Sequence, residues 1–190
     1  MQPDTRPASP VASGRSRGRA LGLFAAVAIT VYLIDLVTKV LAVAELEDRA
    51  PFRVVGELLQ LTLVRNPGAA FSTGTSYTLV LSLIALAAVL VVLYVARTLT
   101  DRLWAIGLGC LLGGVLGNLT DRLFRQPGPL RGHVVDWIQL PNWPVFNVAD
   151  ICIDIAAVII VVQAVRGVSP NGTRQRGSSG RSRSQPPAGS

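Results

Sequence analysis

The fold class that the sequence predicts is an all-α membrane protein, with four transmembrane helices and a small extracytoplasmic β element. Three observations predict it. Half of the 190 residues are hydrophobic, and they are bunched into long runs instead of the amphipathic pattern of a soluble domain. Four of those runs have the length that a helix needs to cross a hydrocarbon layer. The arginines gather before the first run, after the last, and in the turn between the second and third.

Residues 1–18 are rich in Pro, Ser, Gly and Arg without periodicity, so a disordered tail is expected there, ahead of a membrane domain over 19–168. The first span is expected over 21–43, interrupted by Asp35 and Lys39. At 1.5 Å per residue it covers about 34 Å, enough for a bilayer. Leading arginines also suit a signal peptide, but its apolar core would be shorter, and Ala42-Val43-Ala44 is only weakly cleavage-like. A retained helix is expected. From 45 to 72 the chain changes character: Glu45, Glu47, Asp48 and Arg49 precede Leu59, Leu61 and Leu63 alternating with Gln60 and Thr62. Period-two alternation marks a half-buried strand, and Asn66-Pro67-Gly68 breaks it.

Further spans are expected over 77–95, 103–120 and 148–165. The third carries Gly109, Gly113 and Gly117, a small-residue spacing that lets helices approach closely in lipid. Asp121 to Trp143 reads as a polar loop, and residues 169–190 as a second disordered tail. Four spans put both termini on one side. Both tails and the Arg97/Arg102 turn hold eleven of the eighteen basic residues, so that side is expected to be cytoplasmic. The net charge of +7 is read as a topology signal, and no nucleic-acid partner is expected. Cys110 and Cys152 lie in apolar runs and read as small buried residues.

The unusual polar residues collect at the opposite, outer surface. Asp35 and Lys39 share a helix face four residues apart, and Lys39 is the one lysine beside seventeen arginines. Asn118 and Arg122 share a face at the end of the third span, with Asp121 beside them as an ordinary interfacial acid. A buried amide such as Asn118 needs partners. Asn147, Asp150 and Asp154 stripe the fourth helix, Asp154 reading as a hydrogen-bonded acid inside the bundle. Asp136 and Asp150 flank the mouth of that helix. Carboxylates where hydrocarbon begins are costly, and two converging there form an acid/base pair sharing one proton. His133 is a loop residue with no nucleophile at a recognisable spacing, and no hydrolase, zinc-protease or phosphate-loop motif is present.

Together these residues resemble the lipoprotein signal peptidase family, also called signal peptidase II. The resemblance runs from about Leu21 to Val165 and rests on five blocks in order. They are Asp35-Leu36-Val37-Thr38-Lys39, Asn66-Pro67-Gly68-Ala69-Ala70-Phe71, Gly117-Asn118-Leu119-Thr120-Asp121-Arg122, Val134-Val135-Asp136 and Phe146-Asn147-Val148-Ala149-Asp150. The resemblance implies a membrane aspartyl endopeptidase in the bacterial cytoplasmic membrane, with its site at the extracytoplasmic face. Its partners would be membrane lipid and diacylglyceryl-modified prolipoproteins, cut just before the lipidated cysteine. Carried over block by block, it implies Asp136 and Asp150 as the catalytic pair. Asp35, Lys39, Asn66, Gly68, Asn118, Arg122 and Asn147 would bind substrate or support the pair, and Arg53–Arg65 would cradle the substrate. Asp154 is an additional acid outside the five blocks. No cofactor or metal is expected, and the chain is expected to act as a monomer.

The competing expectation is a small polytopic proton-coupled transporter or channel. It would place ionisable groups near the bilayer midplane and show internal repeats. Here the groups cluster at one surface and the halves do not repeat.

Overall fold

A computed structural model describes residues 11–68 and 76–174. Its elements are α1 (Val11–Leu46), β1 (Phe52–Val55), β2 (Leu59–Asn66), α2 (Ser76–Ala96), α3 (Arg102–Phe124), β3 (Val134–Gln139) and α4 (Val148–Val165). Among the described residues four helices are long and apolar enough to cross a membrane: Ser16–Leu46, Tyr77–Ala96, Arg102–Phe124 and Val148–Val165.

The hub is α3. Its apolar window is 61% buried, against 17–28% for the other three spans, which turn most of their Leu, Val and Ile outward as a bilayer requires. It packs on α1, α2 and α4. The glycine stripe explains how. A Cβ at Gly109 would lie 2.9 Å from the Phe24 carbonyl, and one at Gly113 would lie 2.6 Å from that of Ala28, so α1 sits against bare backbone. On the opposite side, Gly114 admits α4, where a Cβ would meet the Ala149 carbonyl at 2.7 Å. Small residues therefore bring three helices close enough for their polar side chains to meet.

The β element is a three-stranded antiparallel sheet in the order β1-β2-β3. The expected strand is β2; β3 was expected as loop. Val134 to Gln139 shows no alternation, and only its pairing with β2 makes it a strand. The register sets Val64 opposite Asp136 and Asn66 opposite Val134. An isolated bridge between Ile138 and Phe146 then folds the connection back, so that α4 begins beside Asp136.

The tails differ from expectation where they are described. Residues 11–18 continue α1, since extending an anchored helix costs far less than nucleating one. At the other end, residues 168–174 are pinned: Trp104 Nε1 donates to the Val168 carbonyl at 2.8 Å, and the Thr100 amide to that of Pro170 at 3.0 Å. The remaining tail residues, and Ala69 to Phe71 of the second block, lie outside the described residues.

Candidate active site

Five elements converge at one end of the bundle. β3 carries Asp136, 2% exposed; the end of β2 carries Asn66; α1 carries Asp35 and Lys39; α3 carries Asn118, Asp121 and Arg122; and α4 begins with Asn147 and Asp150. Both oxygens of Asp136 are met by amides: Asn66 Nδ2 donates to Oδ2 at 2.9 Å, and Asn147 Nδ2 to Oδ1 at 2.6 Å. Asn66 is itself aimed by the turn after it, because the Gly68 amide donates to Asn66 Oδ1 at 2.8 Å. Gly68 takes φ +102 there, a conformation that glycine adopts without strain. Its contribution to the site is to hold an asparagine in place.

Asp150 is placed by helix capping. Asn147 is the N-cap of α4, its Oδ1 accepting from the Asp150 amide at 3.1 Å, while Asp150 Oδ2 accepts from the Asn147 amide at 3.2 Å. The other oxygen of Asp150 accepts from Asn118 Nδ2 at 2.8 Å. Asn118 Oδ1 in turn accepts from Lys39 Nζ at 2.8 Å and from Asn147 Nδ2 at 3.2 Å. The two aspartates are thus joined through the Asn147 and Asn118 amides, and Lys39 decides which way the Asn118 amide faces.

Lys39 and its acids are almost fully buried. Lys39 Nζ lies 2.8 Å from Asp35 Oδ2 and 3.1 Å from Asp121 Oδ2. Asp35 Oδ1 accepts from the Ala149 amide at 2.9 Å, tying α1 to the first turn of α4. Asp121 had the look of an ordinary helix end. It is 2% exposed, pairs with Lys39 and Arg125, and its Oδ2 accepts from the Val135 amide at 3.1 Å, next to Asp136. The signal for it was a second acid available to the one lysine. Arg122 lies in the electrostatic field of Asp136, Asp121 and Asp150, with its Nη1 buried.

Two effects oppose each other at Asp136. Burial disfavours the carboxylate, and the Asp150 charge adds to this; the Asn66 and Asn147 amides and Lys39 favour it. Burial wins, and the Asp136 pKa is pushed up to about 6. The group therefore changes protonation near neutrality, as an acid/base catalyst must.

Asp136 and Asp150 line the same cleft of about 330 Å³, with Asn66, Pro144, Phe146 and Ile151 among the other walls. Asp154 lines it too and is exposed there, one helical turn from Asp150, instead of being a hydrogen-bonded acid inside the bundle. Trp143, Pro144 and Val145, from the connection between β3 and α4, complete the walls of this opening, and nothing in the sequence marked them as lining. Of the predicted residues, Asp35, Lys39, Asn66, Asn118, Asn147, Asp136 and Asp150 form one hydrogen-bonded and ion-paired network. Gly68 supports it from the turn, and Arg122 adds its charge.

A protein-family model described as signal peptidase (SPase) II matches residues 27–166. The chain is 50% identical over 157 residues to the lipoprotein signal peptidase of Rhodococcus jostii (strain RHA1), covering 83% of this chain and 79% of that protein. It is 51% identical over 149 residues to the enzyme of the same name from Mycobacterium avium (strain 104), covering 78% of this chain and 82% of that one. A solved structure described as a bacterial membrane enzyme, determined by the in meso method at 1.9 Å resolution, superposes with a TM-score of 0.68. That match has 25% identity and covers 76% of this chain and 94% of the solved one.

Proposed function

The chain belongs to the signal peptidase II family of aspartic endopeptidases, and on that footing we propose that Asp136 and Asp150 are its catalytic pair. The protein is a multi-pass membrane peptidase with prolipoprotein substrates. The observation that carries the assignment of the pair is their joint lining of one cleft while amide donors hold each of them.

Two carboxylates sharing such a site cannot both ionise easily, because burial and like charge oppose the second ionisation. One carboxyl keeps its proton and donates a hydrogen bond to the scissile carbonyl. The other, ionised, takes a proton from the attacking water. The proton then passes to the leaving amine as the tetrahedral intermediate collapses, and the pair is reset. The pair titrates as a unit, so each apparent pKa belongs to both groups. Asn66, Asn118 and Asn147 keep the two carboxyls aimed, and the Lys39 cluster anchors the helices that carry them. The cleft continues past Val64, Arg65 and Pro67, so an extended substrate lies along β2.

The expected pH dependence follows from Asp136. One limb of the kcat/KM profile has an apparent pKa near 6. Asn66→Ala removes a donor that favours the ionised form, so that limb moves to higher pH. A profile measured on both proteins that stays in place, or moves down, contradicts the assignment.

The cytoplasmic placement of both termini rests on the arginine distribution, and it puts the cleft at the extracytoplasmic surface of the cell membrane. The substrate then reaches the cleft from within the bilayer, its diacylglyceryl chains held in lipid. Incubating the purified protein with matched precursors tests this. The diacylglyceryl-modified precursor releases its signal peptide, and the unmodified precursor is cut at least about tenfold more slowly, the scale of about 1.4 kcal/mol of lost binding. Equal cleavage of the two removes the lipid requirement; cleavage of neither removes the peptidase reading.

A further inference from the structure

At the opposite end of the bundle from Asp136, a pocket of about 110 Å³ is lined by Ser16, Arg19, Ala20, Leu23, Thr100 and Arg102. Water occupies about 30 Å³ per molecule in the liquid, so the space suits a phosphate-sized group. Its two guanidiniums come from different helices, Arg19 from α1 and Arg102 from the first residue of α3. Among the described residues neither has a carboxylate within ion-pairing distance. The nearest acid along the chain, Asp101, is already used: its Oδ1 accepts from the Trp104 amide and from Gln163 Nε2, each at 2.9 Å.

Arg102 is also placed against the helix dipole. Arg102 is the first residue of α3, so its cation stands at the partial positive end of the helix, where the one acid is the N-cap Asp101, turned to the Trp104 amide. An anion lying between the guanidinium and the helix end would be favoured by both. The pocket is built to hold its shape, because the Pro170 carbonyl accepts from the Thr100 and Asp101 amides at 3.0 and 3.3 Å. Its floor of Ala20 and Leu23 belongs to the start of a membrane span, as Arg102 belongs to the start of another.

We propose that this pocket binds the phosphate of an anionic glycerophospholipid from the leaflet at that end, with Arg19 and Arg102 on the phosphate oxygens and an acyl chain along Leu23. Basic pockets between spans are suited to such head groups. The two arginines come from the first and third spans, so one bound lipid clips α1 to α3 at the end remote from the cleft.

The test is native mass spectrometry of the full chain in detergent, titrated with phosphatidylglycerol, phosphatidylcholine or inorganic phosphate. The wild type retains phosphatidylglycerol in preference to phosphatidylcholine, and inorganic phosphate does not displace it. At roughly fivefold per arginine, the Arg19→Gln/Arg102→Gln protein binds phosphatidylglycerol about 25-fold more weakly. Arg17→Gln/Arg97→Gln makes the same change of charge outside the pocket and keeps the preference. Cleavage activity of both variants stays within about twofold of wild type, which reports that they are folded, on the scale of ordinary surface substitutions. Equal losses in the two double variants, no preference between the lipids, or displacement by phosphate alone each overturn the proposal.

Discussion

Asp136→Asn and Asp150→Asn each lower kcat/KM on a lipid-modified precursor by about a thousandfold or more, and the double variant is little worse than either alone. On the proposed assignment the pair works as one proton-sharing unit, and losses within such a unit do not add. The geometry sets the details. Asp136 accepts from two amides, so an asparagine in its place must turn its own NH2 toward Asn66 or Asn147, donor against donor. That mismatch costs about 1–3 kcal/mol, which a four-span protein can carry, so membrane insertion and protein level hold while activity goes. Asp154→Asn is the control. Asp154 lines the cleft yet takes no part in the amide network, so this variant keeps substantial activity. If Asp154→Asn is dead while Asp136→Asn turns over normally, the carboxylates have been paired wrongly.

Lys39→Met produces the largest loss of stability expected of a single substitution. It leaves Asp35, with a side chain 0% exposed, without its cation, and deprives Asp121 of one of two. Removing one partner of a buried ion pair costs about 3–5 kcal/mol, because the remaining charge stays desolvated. The same lysine orients the Asn118 amide toward Asp150, so whatever protein folds has lost activity as well. Adding Asp35→Asn restores part of the stability, since one uncompensated carboxylate disappears, but it does not restore activity. Thermal unfolding in detergent with a cleavage assay reads both effects. A folded, fully active Lys39→Met protein would falsify the role given to this cluster.

Much of the site could be read from residue types alone. The four spans follow from apolar runs against bilayer thickness, and local pattern was enough because a membrane helix satisfies its own backbone. Asp35, Lys39, Asn118 and Asp150 stood out because ionisable and amide side chains in or beside hydrocarbon need a reason to be there. The glycine stripe on α3 announced a close helix approach and found one, on α1.

What the sequence by itself determined, then, is the set of spans, the end of the bundle at which polar groups gather, and the identity of most of them. The tertiary structure decided how they are joined. β3 exists only because β2 offers it a partner, and that register puts Asn66 beside Asp136 across seventy residues of chain. Asp121 became an anchor because folding brings the Val135 amide and Lys39 to it, and Asp154 was left exposed at the cleft, with no hydrogen-bond or ion-pair partner among the described residues. The physical reason is the same in each case. Helices are specified by neighbours within one turn, whereas strand pairing and buried polar networks are specified by groups distant in the chain, whose hydrogen bonds exist only once the chain has folded.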